Sequence, residues 1–158
     1  MKKYIASFVY GATDGVVTTF AVIGGVYGAQ LSPVIVLILG ISNVAADGFS
    51  MAASNYLSKR SEGGASPMKS SLATFSAFIG VGMIPLLPFI YALFFDLDAA
   101  GQFSWSIAAT FFAFVMTGVV RGRVMGKNAL GTVAETVLVG GLAAAIAYIA
   151  GVLLKGLA

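Results

Sequence analysis

The sequence predicts an all-α membrane protein with five transmembrane helices, and three observations support this fold class. Of the 158 residues, 59% are apolar and only 9% are charged, whereas a soluble domain carries about 25% charged residues. Five apolar segments each reach the length of about 20 residues that crosses a bilayer. The chain also contains 20 glycines, which are frequent where membrane helices pack closely. We therefore expect a single transmembrane domain over residues 1–158, with lipid covering most of its surface.

Short polar segments separate the five apolar ones. The predicted helices cover approximately residues 8–29, 33–57, 71–95, 103–121 and 131–154. The predicted turns are residues 30–32, 59–69, 96–101 and 121–127. Pro33 suits the first turn of a helix, because its missing N–H is not needed there. The first apolar stretch contains Asp14 and runs on at span length, so we expect a retained helix rather than a cleaved signal peptide.

The basic residues predict the orientation of the helices. Eight of the nine Lys and Arg residues fall on one side of the predicted topology, and Lys155 alone falls on the other. Since the basic side of a membrane protein faces the cytosol, we expect a cytosolic N-terminus and an external C-terminus, as an odd number of helices requires. The net charge of +3 then reflects topology, and we expect no nucleic-acid partner. A predicted aromatic belt at the outer ends comprises Tyr27, Phe94, Phe95, Phe103 and Trp105.

The residue types that are missing exclude several kinds of chemistry. The sequence contains no Cys and no His, which excludes disulfides, zinc fingers, iron–sulfur clusters, haem held by imidazole and Ser-His-Asp catalysis. No nucleophile–base pair or cofactor motif is visible, so we expect a protein that is not an enzyme and holds no permanent cofactor. Any metal site must be built from carboxylates, amides, hydroxyls, backbone carbonyls and methionine.

Three acidic residues lie within predicted spans: Asp14, Asp47 and Glu135. A charged group inside a span costs about 2.5–3.5 kcal/mol on insertion scales, so such groups indicate function by default. At about 1.5 Å per residue from the nearest basic residue, the three acids lie at similar depth. This common depth predicts one acidic site. Structural explanations remain open for each acid, since Asp14 or Asp47 would also bond to a neighbouring polar group, and Glu135 near a helix start would interact favourably with the helix dipole.

Polar side chains repeat every four residues along the second span. Asn43, Asp47, Met51 and Asn55 therefore share one helical face. Carboxylate and amide oxygens suit hard cations, whereas a thioether favours softer ones. The mixture favours iron(II), cobalt(II) or manganese(II) over magnesium or calcium. Met51 taken alone would more often fill a core than bind a metal, but it lies one turn from Asp47.

Glycine and proline positions predict packing contacts and hinges. A small-residue pair such as Gly24 and Gly28 permits close helix contact, either inside one chain or between two copies. The same holds for Gly11 and Gly15.

Gly15 and Gly48 each follow an acid, and we expect them to loosen the helix and free carbonyls for an ion. Pro85 and Pro88 predict a kink in the third span, either as a hinge for gating or as a static bend.

Three segments resemble the vacuolar iron transporter family. The first-helix signature of that family resembles residues 11–29, GATDGVVTTFAVIGGVYGA. Its second-helix signature resembles residues 43–62, NVAADGFSMAASNYLSKRSE. The third helix is similar to residues 84–88, IPLLP.

This resemblance implies five membrane helices per subunit, a homodimer, and export of iron(II) or manganese(II) from the cytosol by proton antiport. It implies that the family's metal-path residues fall on Asp14, Asp47 and Met51. The family's long forms carry a cytosolic helical domain between helices two and three, where this sequence has about ten residues with Glu62 as the sole acid. The chain therefore resembles the short, nodulin-like form. We expect a prokaryotic plasma membrane, or a vacuole-type membrane if the source is eukaryotic.

Two other functions compete with metal transport. A small organic-cation exporter would place aromatic side chains around Asp14 and Asp47, and few are present there. A structural membrane subunit without a transport role would tolerate Asp47→Asn. The sequence alone leaves both alternatives open.

Overall fold

The computed structural model describes residues 2–63 and 66–157, and every regular element in these ranges is a helix. The first three helices are α1 (Lys2–Gly28), α2 (Pro33–Ser61) and α3 (Pro67–Gly82). A 3-10 turn, Ile84–Leu86, joins α3 to the short α4 (Leu87–Tyr91). The chain continues with α5 (Ala99–Met125), α6 (Ala129–Leu154) and a last 3-10 turn, Lys155–Leu157. Five segments are long and apolar enough to cross a membrane, with α3 and α4 together forming the third. The five-span prediction is confirmed.

The helices extend further than predicted at several ends because capping residues lie outside the apolar segments. Asp98 Oδ1 accepts a hydrogen bond from the Gly101 amide at 3.1 Å, so α5 begins within the predicted acidic turn. At its other end α5 runs through most of the predicted basic turn and stops where Gly126 adopts a left-handed conformation, φ 65°. The predicted loop 59–69 is shortened from both sides by α2 and α3. Its residues 64 and 65 lie outside the described residues.

Helix α1 lies at the centre of the bundle and contacts each of α2, α3, α5 and α6. Gly15 lies against the backbone of α3, where a Cβ atom would come within 2.5 Å of the Phe78 carbonyl oxygen. Gly24 lies against α6, where a Cβ atom would come within 2.9 Å of the Ala144 carbonyl oxygen. Both glycine pairs of α1 thus serve packing inside one chain, which decides between the two interpretations left open by the sequence.

The third span is broken where the two prolines lie. Helix α3 ends at Gly82, and the chain passes through a 3-10 turn before α4 continues the span. The hydroxyl of Ser106 on α5 donates to the carbonyl oxygen of Pro85 at 2.7 Å. Leu86 is fully buried in a core cluster with Ile23 and Val44. The predicted kink is confirmed.

Both α1 and α2 are continuous helices at Gly15 and Gly48, and a hinge role for these glycines stays a prediction. Gly48 faces α3, where a Cβ atom would lie 3.2 Å from the Phe78 ring. Because glycine has no side chain, α1 at Gly15 and α2 at Gly48 both come close to Phe78 of α3. These glycines therefore serve helix packing.

Candidate metal site

Asp14 lies on α1 and Asp47 lies on α2, two helices that contact each other. Asp14 is half-buried, and Asp47 is exposed on the surface of the single chain. Among the described residues, neither carboxylate forms an ion pair with a base. Two acidic residues thus lie within membrane-spanning helices without a basic ion-pair partner among the described residues, an arrangement that is costly in lipid.

One face of α2, here called the polar stripe, carries Asn43, Asp47, Met51 and Asn55 and so continues on both sides of Asp47. Asn43 lies one turn away and is half-buried, and its Nδ2 atom is buried without a hydrogen-bond partner. Met51 lies one turn away in the other direction and is also half-buried. The stripe thus presents an amide, a carboxylate and a thioether along one side of the helix. The metal-binding roles of Asn43, Asp47 and Met51 stay predictions.

The neighbours of Asp14 on α1 differ in what they can offer a ligand. The Thr18 hydroxyl donates to the backbone oxygen of Asp14 at 2.9 Å, so its proton is used inside the helix. Tyr10, one turn below Asp14, is 61% exposed. Of these two hydroxyl groups beside Asp14, that of Tyr10 is the one that remains available to a ligand.

Glu135 does not join the two aspartates within one chain. Its carboxylate forms an ion pair with Arg121 at 3.1 Å, and its side chain is 54% exposed. The described residues form no group of three or more acids that is able to hold a metal ion. Within one copy Glu135 is thus engaged elsewhere, because equal depth does not fix the direction in which a side chain leaves its helix, and one site formed by all three acids stays a prediction. A metal-binding role for Glu135 stays a prediction.

A hydrogen-bond network below the stripe was not predicted. Asn55 Nδ2 donates to the Thr74 hydroxyl at 2.8 Å, which joins α2 to α3. Thr74 Oγ1 lies 3.2 Å from the Ser7 carbonyl oxygen on α1. The Ser71 hydroxyl donates to the Ala52 carbonyl oxygen at 2.7 Å. The four-residue spacing marked Asn55 as part of the stripe, but no sequence signal pointed to its partner on α3.

Glu62, the one acid in the short segment between α2 and α3, already has partners. Its carboxylate accepts hydrogen bonds from Lys59 Nζ at 2.8 Å and from the Ser58 hydroxyl at 2.9 Å. The hydrogen bond from Lys59, followed by that from Ser58, holds the pKa of Glu62 below its usual value. Glu62 is thus an ionised carboxylate engaged by a neighbouring cation.

Five helices that are long and apolar enough to cross a membrane, two of them carrying an acidic residue within the span, define a helical membrane protein. The chain belongs to the VIT family, whose family model matches residues 5–65 and 59–152. The two matched parts meet at the segment between α2 and α3.

Individual relatives carry the name vacuolar iron transporter. The chain is 34% identical to the one from Plasmodium berghei and 41% identical to the one from Toxoplasma gondii, each over 61 residues. These matches cover 39% of the chain but only 22% and 20% of the relatives, so the chain spans about a fifth of their length. Vacuolar iron transporter 1 from Tulipa gesneriana is 23% identical over 212 aligned positions, covering 91% of the chain and 84% of the relative.

Proposed function

We propose that this chain transports divalent iron or manganese out of the cytosol, with Asp14 and Asp47 as the principal ligands. The observation that carries the proposal is an acidic residue on each of two contacting membrane-spanning helices, α1 and α2, with neither carboxylate in an ion pair among the described residues. A divalent cation supplies the missing positive charge. The names of the relatives, vacuolar iron transporters, support the choice of iron.

The proposed site is completed by a second copy of the chain. Asp47 is exposed in a helix that crosses the membrane, and Ser50 and Ser54 are exposed near it. A charged and polar surface facing lipid would be costly. A homodimer with α2 of one copy facing α2 of its partner removes this cost and doubles the number of carboxylates available to the ion.

Selection of the ion follows from the mixture of ligands. Two carboxylates favour a hard divalent cation, while the Met51 thioether favours a softer one. Iron(II) satisfies both ligand types, and manganese(II) depends more on the oxygen atoms. Magnesium, which keeps several of its waters and requires near-ideal octahedral oxygen geometry, is disfavoured.

Proton antiport accounts for release of the ion. Protons arriving from the external side compete with the metal for the same carboxylate oxygens, and protonation removes the charge that holds the cation. The break at Pro85 and Pro88 provides the flexible point at which the third span bends to open one side or the other. We place the N-terminus in the cytosol, as the distribution of basic residues favours, and the chain in a prokaryotic plasma membrane, or in a vacuole-type membrane if the source is eukaryotic.

The experiment is metal flux into sealed proteoliposomes that carry a pH gradient, with iron(II), manganese(II) and zinc(II) as substrates. We expect iron and manganese flux that dissipates the gradient in the wild type and is lost in Asp47→Asn. Asp96→Asn is the matched control, because Asp96 lies exposed in the turn after α4. Normal flux in Asp47→Asn would refute the site. Absence of metal flux in the folded wild type would refute metal transport and return the organic-cation and structural alternatives.

A further inference from the structure

A cavity of about 450 Å³ lies at the end of the bundle where α1 gives way to α2 and where α6 ends. Its walls come from the ends of several helices and include Tyr27, Gln30, Phe103, Tyr148 and Lys155. We call it the Lys155 cavity. It lies at the opposite end of the bundle from the turns that carry the other basic residues, and about the length of a span away from them. A volume of this size is typical of small-ligand sites.

The polar groups of the Lys155 cavity favour an anion. Among the described residues that line the cavity, Lys155 is the one base and none is acidic. The hydroxyl groups of Tyr27 and Tyr148 and the side-chain amide of Gln30 add hydrogen-bond donors. One cation and several neutral donors around a single space suit the phosphate group of a ligand.

The aromatic side of the cavity is held in place by packing. The Tyr27 and Phe103 rings stack with centroids 3.7 Å apart and planes at 4°, and the Tyr148 ring lies 6.4 Å from Tyr27. The backbones of α1 and α6 meet here, because a Cβ atom at Gly151 would come within 2.8 Å of the Ala29 nitrogen. The two phenols thus lie on the same aromatic side of the cavity.

Gln30, which lines the cavity beside the aromatic residues, has a left-handed backbone conformation. Its φ of 59° is the one positive value at a non-glycine position among the described residues. This conformation ends α1 in a helix-capping turn, in which the Leu31 amide donates to the Val26 carbonyl oxygen at 3.1 Å. The turn thereby keeps the Gln30 side chain beside the cavity instead of continuing α1.

The remaining walls are apolar and favour an amphiphilic ligand. Val26, Val36 and Phe89 are buried side chains that line the cavity beneath its polar groups. The cavity lies at the end of the spans, the level at which tyrosines meet lipid headgroups. Another cavity, between α2 and α3, is lined by Phe49, Leu57, Phe75 and similar side chains and has no basic residue. That surface suits acyl chains alone, whereas the Lys155 cavity suits a headgroup with the start of its chains.

We propose that the Lys155 cavity binds the phosphate-bearing headgroup of an anionic membrane lipid. Lys155 pairs with the phosphate, the two phenols and the Gln30 amide donate to its oxygens, and the apolar walls receive the glycerol backbone and upper acyl chain. Lys155 repels the ammonium of a zwitterionic headgroup, which gives the site its preference for a net negative lipid. The site is independent of metal transport.

Native mass spectrometry of the detergent-solubilised protein tests this assignment. Phosphatidylglycerol is titrated against phosphatidylcholine, and the tightest lipid adduct is followed. We expect preference for phosphatidylglycerol and about a fivefold loss of its affinity in Lys155→Gln, the contribution of one basic residue to anionic-lipid binding. Tyr148→Phe should weaken the adduct to a smaller degree.

Lys127→Gln removes an exposed base at the opposite end and is the matched control, expected to keep the tightest adduct. Circular dichroism establishes that each variant is folded. Equal affinity for the two lipids, or unchanged affinity in folded Lys155→Gln, would overturn the proposal. Displacement of the lipid by millimolar inorganic phosphate would show that the free anion is the ligand and would overturn the lipid assignment.

Discussion

The side-chain amide of Asn55 donates to the hydroxyl of Thr74 at 2.8 Å, and this contact fixes which way the amide points. Thr74 Oγ1 lies within hydrogen-bond distance of two carbonyl oxygens, those of Ser70 at 3.1 Å and Ser7 at 3.2 Å. A carbonyl cannot donate, so the hydroxyl proton goes to one of them and Thr74 must accept from Asn55. The Asn55 Oδ1 atom is left buried and without a partner at the end of the α2 stripe.

Thr74→Val should destabilise the protein by about 1–3 kcal/mol, because it leaves the Asn55 amide buried without an acceptor. Thermal unfolding in detergent measures the change. The control is Ser76→Ala, since the Ser76 hydroxyl is exposed and bonds to Leu72 of its own helix. Its effect should stay within about 0.5 kcal/mol. Equal effects of the two substitutions would show that the three-helix network carries no stability.

Gly15→Ala should destabilise the protein by about 1–3 kcal/mol, since the added methyl group would come within 2.5 Å of a backbone oxygen of α3. The comparison is Gly141→Ala on α6, where a Cβ atom meets nothing within 4 Å. That substitution should be neutral or stabilise the helix by up to about 1 kcal/mol. A Gly15→Ala variant that melts at or above the wild-type temperature would contradict the packing role of this glycine.

Met51→Leu should raise the KM for iron(II) severalfold more than the KM for manganese(II), because leucine keeps the volume but removes the thioether. Initial rates of metal flux in proteoliposomes give both values. Met116→Leu, an exposed methionine on α5, should change neither. An equal rise for both metals would indicate that Met51 acts through packing rather than as a ligand.

Glu135→Gln should retain most of the metal flux, because Glu135 is engaged by Arg121 at 3.1 Å and does not join the two aspartates in one copy. The loss of this half-exposed ion pair should cost at most about 1 kcal/mol of stability. Flux and melting temperature are measured on the same preparation. Loss of flux at an unchanged melting temperature would place Glu135 on the ion path after all.

Glu62→Gln should leave the pH profile of transport unchanged. The hydrogen bond from Lys59, and then that from Ser58, lowers the pKa of Glu62 from its usual value of 4.5. The interaction with Lys59 is therefore fully present at pH values above 4.5 and is lost only as the pH falls through the lowered pKa. Any change in flux between about pH 5 and 8 must come from other groups. A profile that shifts in Glu62→Gln would show that Glu62 takes part in transport.

The five spans were predictable because composition and length determine whether a segment partitions into lipid. The proline break was predictable for a similar reason, since Pro85 lacks the N–H that a continuous helix needs. The helix ends were less predictable, because single capping residues such as Asp98 and Gly126 decide them from outside the apolar stretch.

The candidate site was predicted in its parts but not in its assembly. The four-residue repeat of α2 correctly grouped Asn43, Asp47 and Met51 on one face, since that spacing follows from helix geometry. Depth along the membrane placed Glu135 at the same level, but it carries no information on rotation about the helix axis. The pairing of Glu135 with Arg121 depends on how α5 packs against α6, which no local pattern specifies.

The contact between α1 and α6 differs in kind from the contact between α1 and α3. Thr74 links α3 to the backbone of α1, whereas no side-chain hydrogen bond joins α1 to α6 in the described parts of the chain. Gly24, Gly28 and Gly151 leave two bare backbones lying against each other. Where the α1–α3 contact combines close backbone approach with hydrogen bonds, the α1–α6 contact depends on the fit of the two backbones, so a side chain at any of these three glycines would force the helices apart.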